Sequence, residues 1–159
     1  MPKNMNQYWR HREAWKRIES ANEAEYYFEV VTLCESVISD RLLSYIGGVN
    51  PQIQTGRYET FAELIRTWKR LVSAREDDKV PQIANKDLCT CVDEWRKKRN
   101  EIIHGLAKSR RGTNSETLDE FLGRAKSTAN EGTNLAKAVN KWHKQRLKAH
   151  QRNVAEMPA

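Results

Sequence analysis

The sequence predicts an all-α protein, an up-and-down helical bundle of four long helices plus a short N-terminal helix. Three observations predict it. Apolar residues recur at steps of three and four over long stretches, the period of a helix that buries one face. The alternation expected of strands is nearly absent, and the chain carries no internal repeat or low-complexity tract. Charged residues make up 31% and hydrophobic residues 38%, which suits amphipathic helices with solvated outer faces. The 159 residues fit a single domain, 1–159, with one core.

Taken in order, residues 8–19 form the short helix, rich in Trp and basic residues (Trp9, Arg10, Arg12, Trp15, Lys16, Arg17). The second helix is expected from Asn22 to Ile46, with Tyr27, Val30, Val31, Cys34, Val37, Ile38, Leu42, Tyr45 and Ile46 on one broad face. Gly47-Gly48 and then Asn50-Pro51 end it. The third opens on a capping box, Thr60 with Glu63, and continues through Leu64, Ile65, Trp68, Leu71 and Val72. Residues 77–81 read as a loop. The fourth runs from Asn85 or Lys86 to His104, where Gly105 stops it. The fifth starts at Thr117, with Glu120 completing a second capping box, and passes through Leu118, Phe121, Leu122, Ala125, Leu135, Val139, Trp142 and Leu147. Gly132 is expected to bend or weaken it, because glycine is a poor helix former. Residues 137–159 form a basic helix end and tail.

Lys and Arg number 28 against 21 acidic residues, a net charge of +7, so an anionic partner, nucleic acid or acidic protein, is plausible on charge alone. The start is polar, with no signal-peptide pattern, and no apolar run approaches membrane length. An odd count of three cysteines, Cys34, Cys89 and Cys91, points to free thiols in a reducing, cytoplasmic setting. Cys89-Thr90-Cys91 lacks the second pair that a zinc site needs, so it reads as helix core, and no metal or cofactor is expected.

The fourth helix holds the segment with chemistry. Leu88, Val92, Trp95, Ile102 and Leu106 form an apolar stripe, and the position that completes it is Arg99. A guanidinium in such a seam is costly unless it meets a partner or an anionic ligand. It can pair with Asp40 or Glu35, snorkel to water, or hold a phosphate. His104 stands four residues after Asn100, hence on one face with it. It lies roughly 7.5 Å along the axis and about 140° around it from Arg99.

Arg99-Asn100-x-x-x-His104 on a helix, in an all-helical basic domain of this length, resembles the HEPN family of ribonucleases, whose signature is Arg, four to six residues, then His, commonly with a polar residue after the Arg. The resemblance covers the order of helices over most of the chain and six residues of motif. It implies a HEPN-like fold and a metal-independent endoribonuclease with Arg99, His104 and Asn100 as catalytic residues. Ile38-Ser39-Asp40-Arg41 is similar to the polar break of an early family helix, which implies that Asp40, or Glu35 one turn earlier, orients Arg99 or His104. Family toxins paired with a nucleotidyltransferase antitoxin usually carry Tyr two residues after the His. Here that residue is Leu106, so modification of such a Tyr is not implied.

In that chemistry a His moves the proton of the ribose 2′-hydroxyl or of the leaving 5′-oxygen, and an Arg holds the phosphate. The products are a 2′,3′-cyclic phosphate and a 5′-hydroxyl, and DNA is not a substrate. With one motif per chain, a homodimer is expected, and the apolar stripe with Trp95 serves either that contact or the core. Arg96, Lys97, Lys98, Lys108, Arg110 and Arg111 flank the motif and suit RNA. No acidic residue occurs from Lys137 to Arg152, and Trp9, Trp15 and Trp142 offer rings for unpaired bases, Trp142 also fitting the core. The implied role is a toxin or phage-defence effector with an antitoxin or defence-complex partner. The rival readings are a non-catalytic helical module that binds nucleic acid or protein, and a subunit of a larger defence complex.

Overall fold

The computed structural model describes residues 5–52, 60–106 and 116–157. The protein is an all-α helical bundle. Among the described residues there are five α-helices, α1 (Met5–Glu23), α2 (Tyr27–Val49), α3 (Phe61–Ser73), α4 (Leu88–Gly105) and α5 (Leu118–Ala155), with a 3-10 turn at Glu76–Asp78. The strands β1 (Gln82–Ile83) and β2 (Lys86–Asp87) pair antiparallel, with Gln82 opposite Asp87 and Ile83 opposite Lys86. No helix among the described residues is long and apolar enough to cross a membrane.

Local chemistry explains where the helices begin and end. Both capping boxes form: the Thr60 hydroxyl accepts from the Glu63 amide while the Glu63 carboxylate accepts from the Thr60 amide, and Thr117 and Glu120 do the same. The N-terminal helix is not short. Its 19 residues exceed the 13 of α3, because Ile18 and Ala21 are buried and nothing breaks the helix before Ala24. There the Tyr26 amide donates to Ala21 C=O and the Glu25 amide to Asn22 C=O. That is the double closure of a Schellman ending, with Glu25 at φ 59° where glycine is usual. The second helix therefore starts at Tyr27, later than Asn22, and it continues through Gly47 and Gly48 to Val49.

Helix α4 also starts later than the sequence predicts. Ala84 and Asn85 both take positive φ (47° and 66°), making the two-residue turn that joins β1 to β2. Asp87 then caps the helix, its Oδ1 accepting from the Thr90 amide at 2.7 Å. Four leucines expected on apolar faces are exposed: Leu106 just past α4, and Leu118, Leu122 and Leu147 on α5.

The chain forms two compact units, one of Met1–Val37 with Glu94–Asn134, the other of Ile38–Asp93 with Leu135–Ala159. In the first, Ile102, Phe121 and Ala125 make a buried cluster against which Tyr27 and Phe28 pack, the rings of Phe28 and Phe121 stacked at 6.0 Å. Trp95 is fully buried, its indole N–H donating to Thr128 C=O at 2.9 Å. It is therefore core and not a surface for a second copy. Gly132 does not break α5; it makes room for this indole. A Cβ there would stand 2.5 Å from Trp95 Cζ2.

In the second unit, Trp142 is 5.0 Å from the Tyr45 ring and 5.5 Å from that of Trp68, so it belongs to the core and not to a base-stacking surface. Asp78, placed in a loop by the sequence reading, is buried beside this cluster. Its carboxylate accepts from Tyr45 Oη (2.9 Å), Arg75 Nε (2.7 Å) and Arg146 Nε (3.0 Å), while the Arg146 guanidinium lies 4.5 Å from the Tyr45 ring centroid. Burial pushes the Asp78 carboxyl up, but the hydrogen bonds from Tyr45 and Arg75 and the charges of Arg146 and Arg75 hold it below its ordinary value.

Two predictions follow from these packings. Gly132→Ala gains about 1 kcal/mol of helix propensity but drives a methyl into a pinned ring, which costs roughly 1–3 kcal/mol or more. Chemical denaturation is expected to show a net loss of stability. Asp78→Asn strands Arg146, and roughly 3 kcal/mol of stability should be lost at pH 7. Because the folded-state pKa of Asp78 is depressed, its contribution is present above the ordinary aspartate range and is lost as pH falls through the folded value. The difference in Tm between wild type and Asp78→Asn is therefore expected to narrow on acidification below about pH 4.

Candidate functional site

The site is built on α4 within the first unit. Helical spacing puts Arg96, Asn100 and His104 on one stripe, at successive steps of four. Arg99 lies to one side of it and meets α2. The Arg99 Nε is 2.5 Å from Glu35 Oε2, an ion pair without the alignment of a hydrogen bond, and the two side chains are 21% and 22% exposed. Arg99 Nη1 donates to Asn100 Oδ1 at 2.8 Å. Asn100 thus draws the guanidinium back toward the stripe that ends in His104, across part of the angular gap the sequence implies.

His104 is exposed in the last turn of α4. What holds that turn is packing two residues before His104 and one after it. Ile102 is buried in the cluster with Phe121, and Gly105 sits so close to Phe121 that a Cβ would stand 3.0 Å from Cε2. Outside, Arg124 reaches Glu101 at 3.5 Å and Glu116 at 2.5 Å, exposed pairs that each add little.

Of the two acids offered for orienting the motif, Glu35 contacts Arg99, whereas Asp40 approaches Arg41 at 3.9 Å. Burial pushes the Glu35 carboxyl up from its ordinary value, and the neighbouring Arg99 charge opposes the rise. Burial likewise lowers Arg41, with Asp40 opposing.

The flanking cations are placed unevenly. Arg96 is half-buried, Lys97 is exposed, and Lys98 pairs with Glu131 at 2.8 Å. Lys108, Arg110 and Arg111 lie outside the described residues. Of the N-terminal rings, Trp15 is half-buried, its indole donating to His11 Nε2 at 3.0 Å, and Trp9 is exposed beside Tyr8 and Arg12. Tyr8 and Arg12 carry no motif; the placing of Arg12 four residues after Tyr8 and three after Trp9 is the signal that groups them.

Among the described residues no group of three or more His, Cys, Asp or Glu is placed to hold a metal ion. Cys34 and Cys89 are buried thiols pushed up by burial to about 11 and about 12, against the low values of reactive thiols.

The ion pair makes a titration prediction. If Arg99 lowers the Glu35 carboxyl against its burial, Arg99→Ala should move the Glu35 titration, followed by carbon-detected NMR of the side-chain carboxyl, to higher pH than in wild type. A shift to lower pH, or none, would show that the pair is electrostatically idle.

No protein-family model, curated protein or solved structure matches the chain.

Proposed function

We propose that this chain is a HEPN-type endoribonuclease that cleaves RNA without a metal ion, the ribose 2′-hydroxyl attacking the adjacent phosphorus. One observation carries the reading: Asn100 accepts a hydrogen bond from Arg99 while standing on the same helical stripe as the exposed His104. A guanidinium has five N–H donors. One goes to Asn100 and Nε faces Glu35, so donors remain for phosphate oxygens.

In the reaction, a phosphodiester lies against the Arg99–Asn100 edge with its ribose toward His104. The imidazole takes the 2′-hydroxyl proton or delivers one to the departing 5′-oxygen. Arg99, held by Glu35, stabilises the charge that grows on the non-bridging oxygens. Glu35 is a positioning residue; Arg99 and His104 are the catalytic ones. The second proton transfer requires another group, and a homodimer that apposes two α4 ends supplies it as a second His104. Trp95 being core, that contact uses surface near the exposed Leu106 and not the apolar seam. A cytoplasmic toxin or phage-defence effector, controlled by an antitoxin or a larger complex, is the role this chemistry suits.

A specific observation favours a second reading, a non-catalytic RNA- or protein-binding module. Arg99 is mostly withdrawn from solvent, and Glu35 and Asn100 already meet its guanidinium.

Incubating labelled single-stranded RNA with the protein in EDTA separates the two. We expect cutting that yields cyclic phosphate ends and leaves the same DNA sequence intact. His104→Ala should lower the rate by about 10²–10⁴ and Arg99→Ala by about 10²–10³. RNA bound equally by all three proteins and cut by none would establish the module instead. Light scattering should give twice the monomer mass; a monomer that cuts removes the shared site.

A further inference from the structure

The geometry points to a second RNA contact on α1, a stacking platform for unpaired bases formed by Tyr8, Trp9 and Arg12; it deepens the proposed function and rests on RNA being the ligand. Tyr8 and Trp9 are 54% and 53% exposed, although large rings are ordinarily withdrawn from water. They stand edge to face, centroids 5.3 Å apart at 72°. Arg12 is four residues after one and three after the other, so its guanidinium reaches both, 5.9 Å from the Tyr8 centroid and 5.5 Å from that of Trp9. The side chains are thus ordered against one another before any ligand arrives.

The core does not use this face. Helix α1 packs through Ile18 and Ala21, with Trp15 half-buried and bonded to His11. The exposed stripe continues from the rings through Arg12 to Lys16, one turn further on. From Met5 to Arg17 four cations (Arg10, Arg12, Lys16, Arg17) meet a single acid, Glu13, which Arg17 neutralises at 3.0 Å. Aromatic faces beside an excess of positive charge are what a single strand requires: rings for the bases, cations for the phosphates. A lipid surface fits less well, since among the described residues the patch offers only Met5 as an aliphatic neighbour and membrane-bound helices bury a continuous apolar face. The platform belongs to the same compact unit as Glu35, Arg99, Asn100 and His104. A strand held there is tethered to the unit that carries the reacting groups.

The test measures binding without cleavage, in the His104→Ala background of the full chain, by fluorescence anisotropy of a labelled twelve-nucleotide oligouridylate. Trp9→Ala should weaken binding about tenfold, the worth of one stacked base. Trp9→Phe should restore most of it, and a duplex RNA of equal length should bind both forms alike, because its base faces are covered. Helical content by circular dichroism serves as the folding control. An unchanged affinity, or an equal loss on duplex, overturns the proposal. So does Trp9-dependent binding to vesicles of phosphatidylcholine and phosphatidylserine without RNA binding. The two readings fail separately: tight, Trp9-dependent RNA binding by a protein that never cuts would sink only the nuclease. Full cutting with RNA affinity indifferent to Trp9 would sink only the platform.

Discussion

A guanidinium cannot leave water unmatched, and the pairing of Arg99 with Glu35 is the constraint on which the site depends. It joins α4 to α2 inside one unit and fixes the rotation of α4 where the apolar stripe is interrupted. Burial pushes the Glu35 carboxyl up and the Arg99 charge opposes the rise, so each partner needs the other. Because both side chains keep about a fifth of their surface, breaking the pair costs less than the roughly 3–5 kcal/mol typical of a fully buried one. That residual exposure leaves about a fifth of the Arg99 side chain facing water.

The elements that follow from local chemistry were legible in the sequence. Thr60 with Glu63 and Thr117 with Glu120 mark the starts of α3 and α5 because a hydroxyl and a carboxylate three residues apart satisfy two amides with no help from elsewhere. Elements set by less usual backbone were not. Glu25, Ala84 and Asn85 occupy left-handed conformations that only Asn among them advertises, so the Schellman ending of α1 and the β1–β2 turn passed unread. Gly132 misled for a different reason. Propensity treats it as a weakness, whereas its missing Cβ is the space occupied by the Trp95 indole, a neighbour 37 residues away that no local rule reveals.

The site was half legible by the same logic. That Arg99 interrupts an apolar seam is visible from Leu88, Val92, Trp95 and Ile102 alone, all of which are buried. Which acid answers it was not visible. Glu35 and Asp40 are five residues apart, about 140° around α2, so packing decides between them, and it turns Glu35 to Arg99. The bond from Arg99 to Asn100 was equally hidden, since adjacent residues on a helix point about 100° apart and only a long, bent side chain closes that gap.

The chain contains a second buried arginine–carboxylate arrangement, and the contrast between the two bears on function. Asp78 is 6% exposed, receives three donors and is held below its ordinary value; Arg146 above it is 11% exposed and also covers an aromatic ring. In that cluster the hydrogen bonds and neighbouring charges outweigh the cost of burying the carboxylate, and both Asp78 oxygens are taken. Glu35 and Arg99 are the opposite case. The carboxyl is pushed up, the contact is poorly aligned, and an exposed imidazole stands one turn beyond the asparagine that shares the guanidinium. A pair kept for packing alone would gain from the closure seen at Asp78. One that must also accept a phosphate has to remain under-satisfied until the phosphate arrives, because only then do its unused donors contribute more to the transition state than to the resting protein.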